Sequence, residues 1–152
     1  MSFSNPNGTR GARQPGGLMR WMNKVMTPLV RRTGGRLGRQ DVLVLTTVGR
    51  RTGAERSTPL SWFPGEDGSW LVVASAAGAA QNPAWYYNVA AAPRSVRIEV
   101  AGETIPVTAE QVDGDDRDRV WPQIKAASAQ FAGYESKTDR QLPVIRLTRR
   151  EA

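Results

Sequence analysis

Three stretches of this sequence gather side chains of a kind that bind or react. The first is Gly49-Arg50-Arg51-Thr52-Gly53, followed by Arg56. Two glycines let a backbone turn tightly and expose its N–H groups, and three guanidiniums offer forked donors that match phosphate or carboxylate oxygens. The segment suits an anion, reads equally as a solvated hairpin, and lacks the spacing of a Walker loop or a dinucleotide fingerprint. The second runs from Ser75 through Ala76, Ala77 and Gly78 to Asn82-Pro83-Ala84-Trp85-Tyr86-Tyr87-Asn88. Small side chains let a flat ligand approach the backbone, and a helix with Asn82 as its cap and Pro83 in its first turn aims free N–H groups at that ligand. Trp85 and Tyr86 read more simply as core residues of the same helix. The third, Phe131 to Arg140, is a polar loop with two aromatics that either lids a pocket or staples itself to the body.

What is missing narrows the chemistry further. The chain has no cysteine, which removes disulfides, thiolate nucleophiles and zinc-thiolate or iron-sulfur sites. It has no histidine, which removes the commonest general base and every Ser-His-Asp arrangement. Asp113, Asp115, Asp116 and Asp118 read as ordinary acids in a first helical turn, and no metal site is expected from them. An enzyme of this composition takes its chemistry from a cofactor.

The elements that must position these segments follow from periodicity. At 152 residues and 39% hydrophobic, the chain makes one domain with an arm. Residues 1–17, rich in Gly, Pro, Asn and Arg, read as a flexible basic arm without a signal-peptide core. Leu18, Trp21, Met22, Val25 and Leu29 recur at helical spacing, which predicts a basic amphipathic helix over Leu18 to Thr27 before Pro28, with a linker to residue 40. Residues 41–152 form the body. Val42 to Val48, Arg56 to Phe63 and Ser69 to Ser75 predict three strands, Val96 to Val100 and Ile105 to Ala109 a hairpin with one wet face, and Leu142 to Thr148 a last strand. Pro106 favours an edge position for its strand. A helix is expected after Asn82, ending before Pro93, and another from Asp113–Asp116 to about Ala127, interrupted at Trp121-Pro122. Six strands with two or three helices in meander order give the α+β class, a small antiparallel barrel.

The net charge of +7 is unevenly placed. Residues 1–40 hold eight bases and no acid, and the rest holds 13 bases against 14 acids. An acidic partner is therefore met mainly by the N-terminal segment. A lipid surface fits the basic helix, residues 18–31, whose other reading is a helix packed over the barrel mouth. Nucleic acid is disfavoured, because only Phe3 and Trp21 supply aromatics there.

Taken in order, LTTVGRRTGAERSTPL, the small-residue loop leading to NPAWYYN, and YESKTDRQLPV resemble the deazaflavin-dependent nitroreductase family of actinobacterial flavin/deazaflavin oxidoreductases, from about Val42 to Leu147. That resemblance implies a split β-barrel and coenzyme F420, a deazaflavin bearing a phosphate and a polyglutamate tail. It implies phosphate-binding roles for Arg50, Arg51 and Arg56, with Thr58 and Pro59 along the cofactor. It implies further cofactor contacts at Ser75, Ala76 and Ala77, a helix signature at Trp85 and Asn88, and an acceptor side formed by Tyr134 and Ser136. The chain departs from the family in having Ala76 where lysine is frequent, and Phe131 where the nitroreductase branch carries a second tyrosine.

The expected function is a reductase that passes a hydride from reduced F420 to a quinone, enone or nitro acceptor, with Tyr134 and Ser136 donating to the charge that develops. The rivals are FMN in the same barrel, a deazaflavin carrier without turnover, and a non-enzymatic membrane-binding protein. The expected location is cytoplasmic, peripheral to the inner face of the cell membrane. The sequence leaves the oligomeric state open.

Overall fold

A computed structural model describes residues 3, 7–11, 36–37, 40–75, 78 and 82–150. The helix expected over Leu18 to Thr27 lies outside the described residues, as does most of the arm.

The strands are β1 (Arg36–Leu37), β2 (Gln40–Val48), β3 (Glu55–Ser61), β4 (Phe63–Pro64), β5 (Trp70–Val73), β6 (Val96–Val100), β7 (Glu103–Val112) and β8 (Val144–Arg149). The helices are α1 (Ala84–Ala91), α2 (Gly114–Ala127) and α3 (Ala129–Lys137). All pairings are antiparallel, in the order β1-β2-β6-β7-β8-β5-β4, with β3 on the other side of β2. Only Trp62 separates β3 from β4, so one bent strand pairs with β2 in its first part and with β5 in its second. That bend carries the pairing round on itself and makes the sheet a barrel, which leaves few open edges.

Alternation decides what fills it. Leu43 and Leu45 of β2, Val72 of β5, Ile98 of β6, Ile105 and Val107 of β7, and Ile145 and Leu147 of β8 meet with Trp85, Tyr86 and Val89 of α1 in one core. The intervening residues of β5 and β8, Leu71, Val73 and Val144, face a second cluster with Val120, Trp121 and Ile124 of α2 and Phe131 of α3. Those strands are buried on both faces because α2 and α3 cover the outside, which is why they read as continuous apolar runs. The β6–β7 hairpin keeps one wet face, as its alternation predicted.

Four expectations change. Strand β7 is interior, flanked by β6 and β8, and Pro106 is tolerated because β8 ends at Arg149, so its missing donor falls at the end of that ladder. Helix α2 runs through Pro122 without a break. Asp118 and Pro122 both lie on its exposed face, where water can replace the absent amide, while Val120, Trp121 and Ile124 hold the helix to the core. The residues after Ala129 form α3 where a loop was expected. Finally, Pro83 and not Asn82 caps α1, because the Asn82 carboxamide is engaged elsewhere.

Candidate functional site

The β2–β3 turn is closed by its own backbone. Gly49 N–H donates to Ala54 O at 2.7 Å and Gly53 N–H to Gly49 O at 2.8 Å, with Gly53 at φ 72°, a conformation that favours glycine. Arg50, Arg51 and Arg56 stand exposed around this turn, and no ion pair among the described residues takes up any of the three. From below, α1 holds the turn. Asn88 is buried, accepts the Arg50 backbone N–H at 3.1 Å and donates to Thr47 Oγ1 at 3.3 Å. The Arg50 guanidinium rests 4.9 Å from the centroid of the Tyr87 ring.

The strand register sorts the neighbouring candidates. Arg56 pairs with Thr47 and Thr58 with Leu45, so both lie on the face that meets α1. Pro59 pairs with Val44 on the opposite face, where Ser57 and Thr46 share a hydroxyl hydrogen bond at 2.9 Å. The Pro59 side chain is thus turned away from the arginine side. Trp85 is 7% exposed and belongs to the main core.

The segment after β5 is held by a buried cation. Arg140 donates through Nη1 to Ala74 O at 2.9 Å and Asn82 Oδ1 at 2.6 Å, and through Nη2 to Ser75 O at 2.8 Å. Burial lowers its pKa, while Tyr87 and Tyr86 oppose the shift. Ser75 O also accepts Gly78 N–H at 2.9 Å. Gly78 has φ 83°, and a Cβ there would stand 2.8 Å from Tyr134 O and 3.0 Å from Lys137 Cβ, so this segment abuts α3 with no room for a side chain. Ala76 and Ala77 lie outside the described residues.

Helix α3 is anchored by its amphipathic face. Phe131 is buried, edge-on to Phe63 and to Tyr134. Glu135 accepts from Trp121 Nε1 and from Lys125 Nζ, tying α3 to α2. Tyr134 is half-buried and its hydroxyl has no hydrogen-bond partner among the described residues. The Ser136 hydroxyl is exposed and donates to Gly133 O at 2.8 Å, inside its own helix.

Described residues of the N-terminal segment touch the same region. Asn7 Oδ1 accepts from Asn82 N–H at 3.0 Å and from Tyr87 Oη at 2.8 Å, and Phe3 stacks edge-on against Tyr86. Asp139 accepts the backbone N–H groups of Thr9 and Arg10 and the Thr9 hydroxyl. Led by the Thr9 hydroxyl, these donors pull its pKa from 3.8 to about 2.

The three segments singled out in the sequence are therefore contiguous. Arg50 lies on Tyr87, Tyr87 reaches Asn82, Arg140 joins Asn82 to Ser75, and Gly78 abuts Tyr134. Sequence reasoning missed Thr47, Tyr87, Asn82 and Arg140. For Asn82 the Asn-Pro pair suggested a cap, and for Arg140 nothing in the pattern marked depth. The donor set fits an anionic cofactor: three exposed guanidiniums without carboxylate partners among the described residues could meet a multiply charged group with no competing ion pair to break.

Comparison with known proteins identifies the family. The family described as F420H(2)-dependent quinone reductase matches residues 18–149. An F420H(2)-dependent quinone reductase of Mycobacterium tuberculosis is 36% identical over 130 residues, covering 80% of this chain and 86% of that protein. Among solved structures, an F420-H2 dependent reductase, FDR-A, is 34% identical with a TM-score of 0.62, covering 70% of this chain and 92% of its own. A structure described as a domain-swapped dimer is 30% identical with a TM-score of 0.64, covering 84% of this chain and 96% of its own.

Proposed function

The chain belongs to the F420H(2)-dependent quinone reductase family, and from that premise we propose how its residues divide the work. It is an oxidoreductase of the split-barrel class that depends on reduced F420. We assign the phosphate and tail of the cofactor to Arg50, Arg51 and Arg56, the ring system to the face bearing Thr58 and to the segment from Ser75 through Ala76 and Ala77, and the acceptor to the side of Tyr134 and Ser136. Pro59 contributes through its backbone, and Trp85 supports the site from the core.

When bound, reduced F420 supplies a hydride to the acceptor, a two-electron reduction that leaves the deazaflavin oxidised. The Tyr134 hydroxyl donates a hydrogen bond to the quinone oxygen on which negative charge develops, and a proton from solvent completes the hydroquinone. Ser136 serves the same oxygen after its hydroxyl rotates away from Gly133 O. Enones and nitro compounds are the second acceptor class. Phe131 offers them no donor, because it carries no hydroxyl and its ring is buried against Phe63 and Tyr134. Asn88 and Tyr87 fix the backbone of the arginine turn and the Arg50 guanidinium, so these are preorganised before the ligand arrives.

The observation that carries this reading is the trio of guanidiniums free of carboxylate partners among the described residues, on a turn pinned to α1. A fluorescence titration with oxidised F420, repeated for Arg51→Ala and with FMN as competitor, tests it. Saturable binding that the substitution weakens and FMN does not displace supports the assignment; absence of binding overturns it.

The acceptor's solubility suggests where the protein works. No helix among the described residues is long and apolar enough to cross a membrane. We place residues 18–31, through their basic amphipathic pattern, on anionic lipid at the inner face of the cell membrane, where lipid-soluble quinones reside. Deleting residues 1–30 should abolish sedimentation with anionic liposomes, and unchanged sedimentation would refute the placement.

A further inference from the structure

We propose that Arg140 is a positioning residue for the cofactor site: its guanidinium ties Ser75 to Asn82, and through Tyr87 to the arginine turn, and so fixes these parts of the site relative to one another. The inference rests on the reading that this segment lines the cofactor.

Arg140 is 4% exposed and lies between α3 and β8. Its planar fork donates to Ala74 O and Ser75 O at one end of the segment and to Asn82 Oδ1 at the other. Its own backbone is fixed, since its N–H donates to Thr138 Oγ1 at 3.1 Å. Closing a short loop costs chain entropy, and a buried group with several rigid donors holds both ends in one geometry. The carbonyl oxygens of Ala74 and Ser75, engaged by Arg140, aim their negative dipole ends at the cation. Asn82 also meets Tyr87, on which Arg50 rests, so the tie at Arg140 extends to the arginine turn. Lysine keeps the charge but has a single compact head, and it cannot span acceptors at both ends of the segment.

The test compares wild type with Arg140→Lys. Amide hydrogen exchange of the cofactor-free protein should rise about tenfold across residues 75–82 while β2 and β7 keep their wild-type protection. The same variant should bind F420 about tenfold more weakly, with the loss appearing in the KM for reduced F420 more than in kcat. Asn82→Ala removes one end of the tie without touching the guanidinium, and it should reproduce the local exchange pattern in weaker form. It also decides the matter if Arg140→Lys fails to fold. Wild-type exchange across 75–82 in the folded variants overturns the positioning role, as does a uniform rise that includes β2 and β7. Failure of the wild type to bind F420 overturns the assigned cofactor site instead, and the exchange result still judges the tie itself.

Discussion

The side chain of Asn88 closes a bond with the backbone of Arg50, 38 residues earlier, at 3.1 Å, and with its other end holds Thr47 Oγ1 at 3.3 Å. One carboxamide on α1 thus sets the height of the whole β2–β3 turn above the barrel. Asn88→Ala removes both contacts and should weaken F420 binding about tenfold, a loss of about 1.4 kcal/mol. Stability should fall by about 1–3 kcal/mol from the polar groups left unsatisfied. Titration and urea denaturation read the two effects separately.

The arginine turn faces solvent, so its grip on a charged ligand is screened by salt. Arg51→Ala should raise the Kd for F420 and flatten its dependence on ionic strength. A variant with the wild-type salt slope would place the phosphate elsewhere.

Removing the hydroxyl in Tyr134→Phe takes away the donor we assign to the developing charge, while the ring packing on Phe131 survives. Quinone turnover should drop by about tenfold to a hundredfold with F420 affinity preserved. Ser136→Ala should cost less, because that hydroxyl is spent inside α3 in the free protein. Steady-state rates at saturating cofactor decide between them.

Trp85 is a matter of folding before binding. Buried in the main core beside Tyr86 and Val89, it should cost about 3–5 kcal/mol of stability when cut to alanine. Trp85→Phe should restore most of that and leave F420 titration close to wild type. Denaturant midpoints for the pair are the measurement.

The Thr9–Arg10 contact with Asp139 is acid-labile with a defined sign. The carboxylate's folded pKa, about 2, lies below its ordinary 3.8, so the stabilisation it gives is complete above that ordinary value and disappears as pH falls through about 2. Asp139→Asn should release the contact at neutral pH. Amide exchange at Thr9 and Arg10 across pH 2 to 6 would follow the loss, and a flat profile would refute it.

The barrel was legible because its strands carry the period-two signal strongly: Leu43 and Leu45, Ile98, and Ile105 and Val107 alternate with polar residues or with residues buried on the second face. Helix α3 was not, since Gly133 and its polar neighbours mimic a loop, and only the packing of Phe131 and the Glu135 contacts with α2 make it helical. The arginine turn announced itself by composition. Its support by Asn88, and the burial of Arg140, did not, because both depend on pairs 38 or more residues apart that no local pattern records. Likewise Pro106 looked like an edge until the end of β8 showed where its missing donor falls.

Gly78 leaves no space between the segment after β5 and the carbonyl of Tyr134. The wall we assign to the cofactor and the helix we assign to the acceptor are thus two sides of one seam. A larger residue at this position would meet Tyr134 O and Lys137 Cβ and press α3 outward. Under that assignment a change at this one position is felt on the acceptor side and on the cofactor side together.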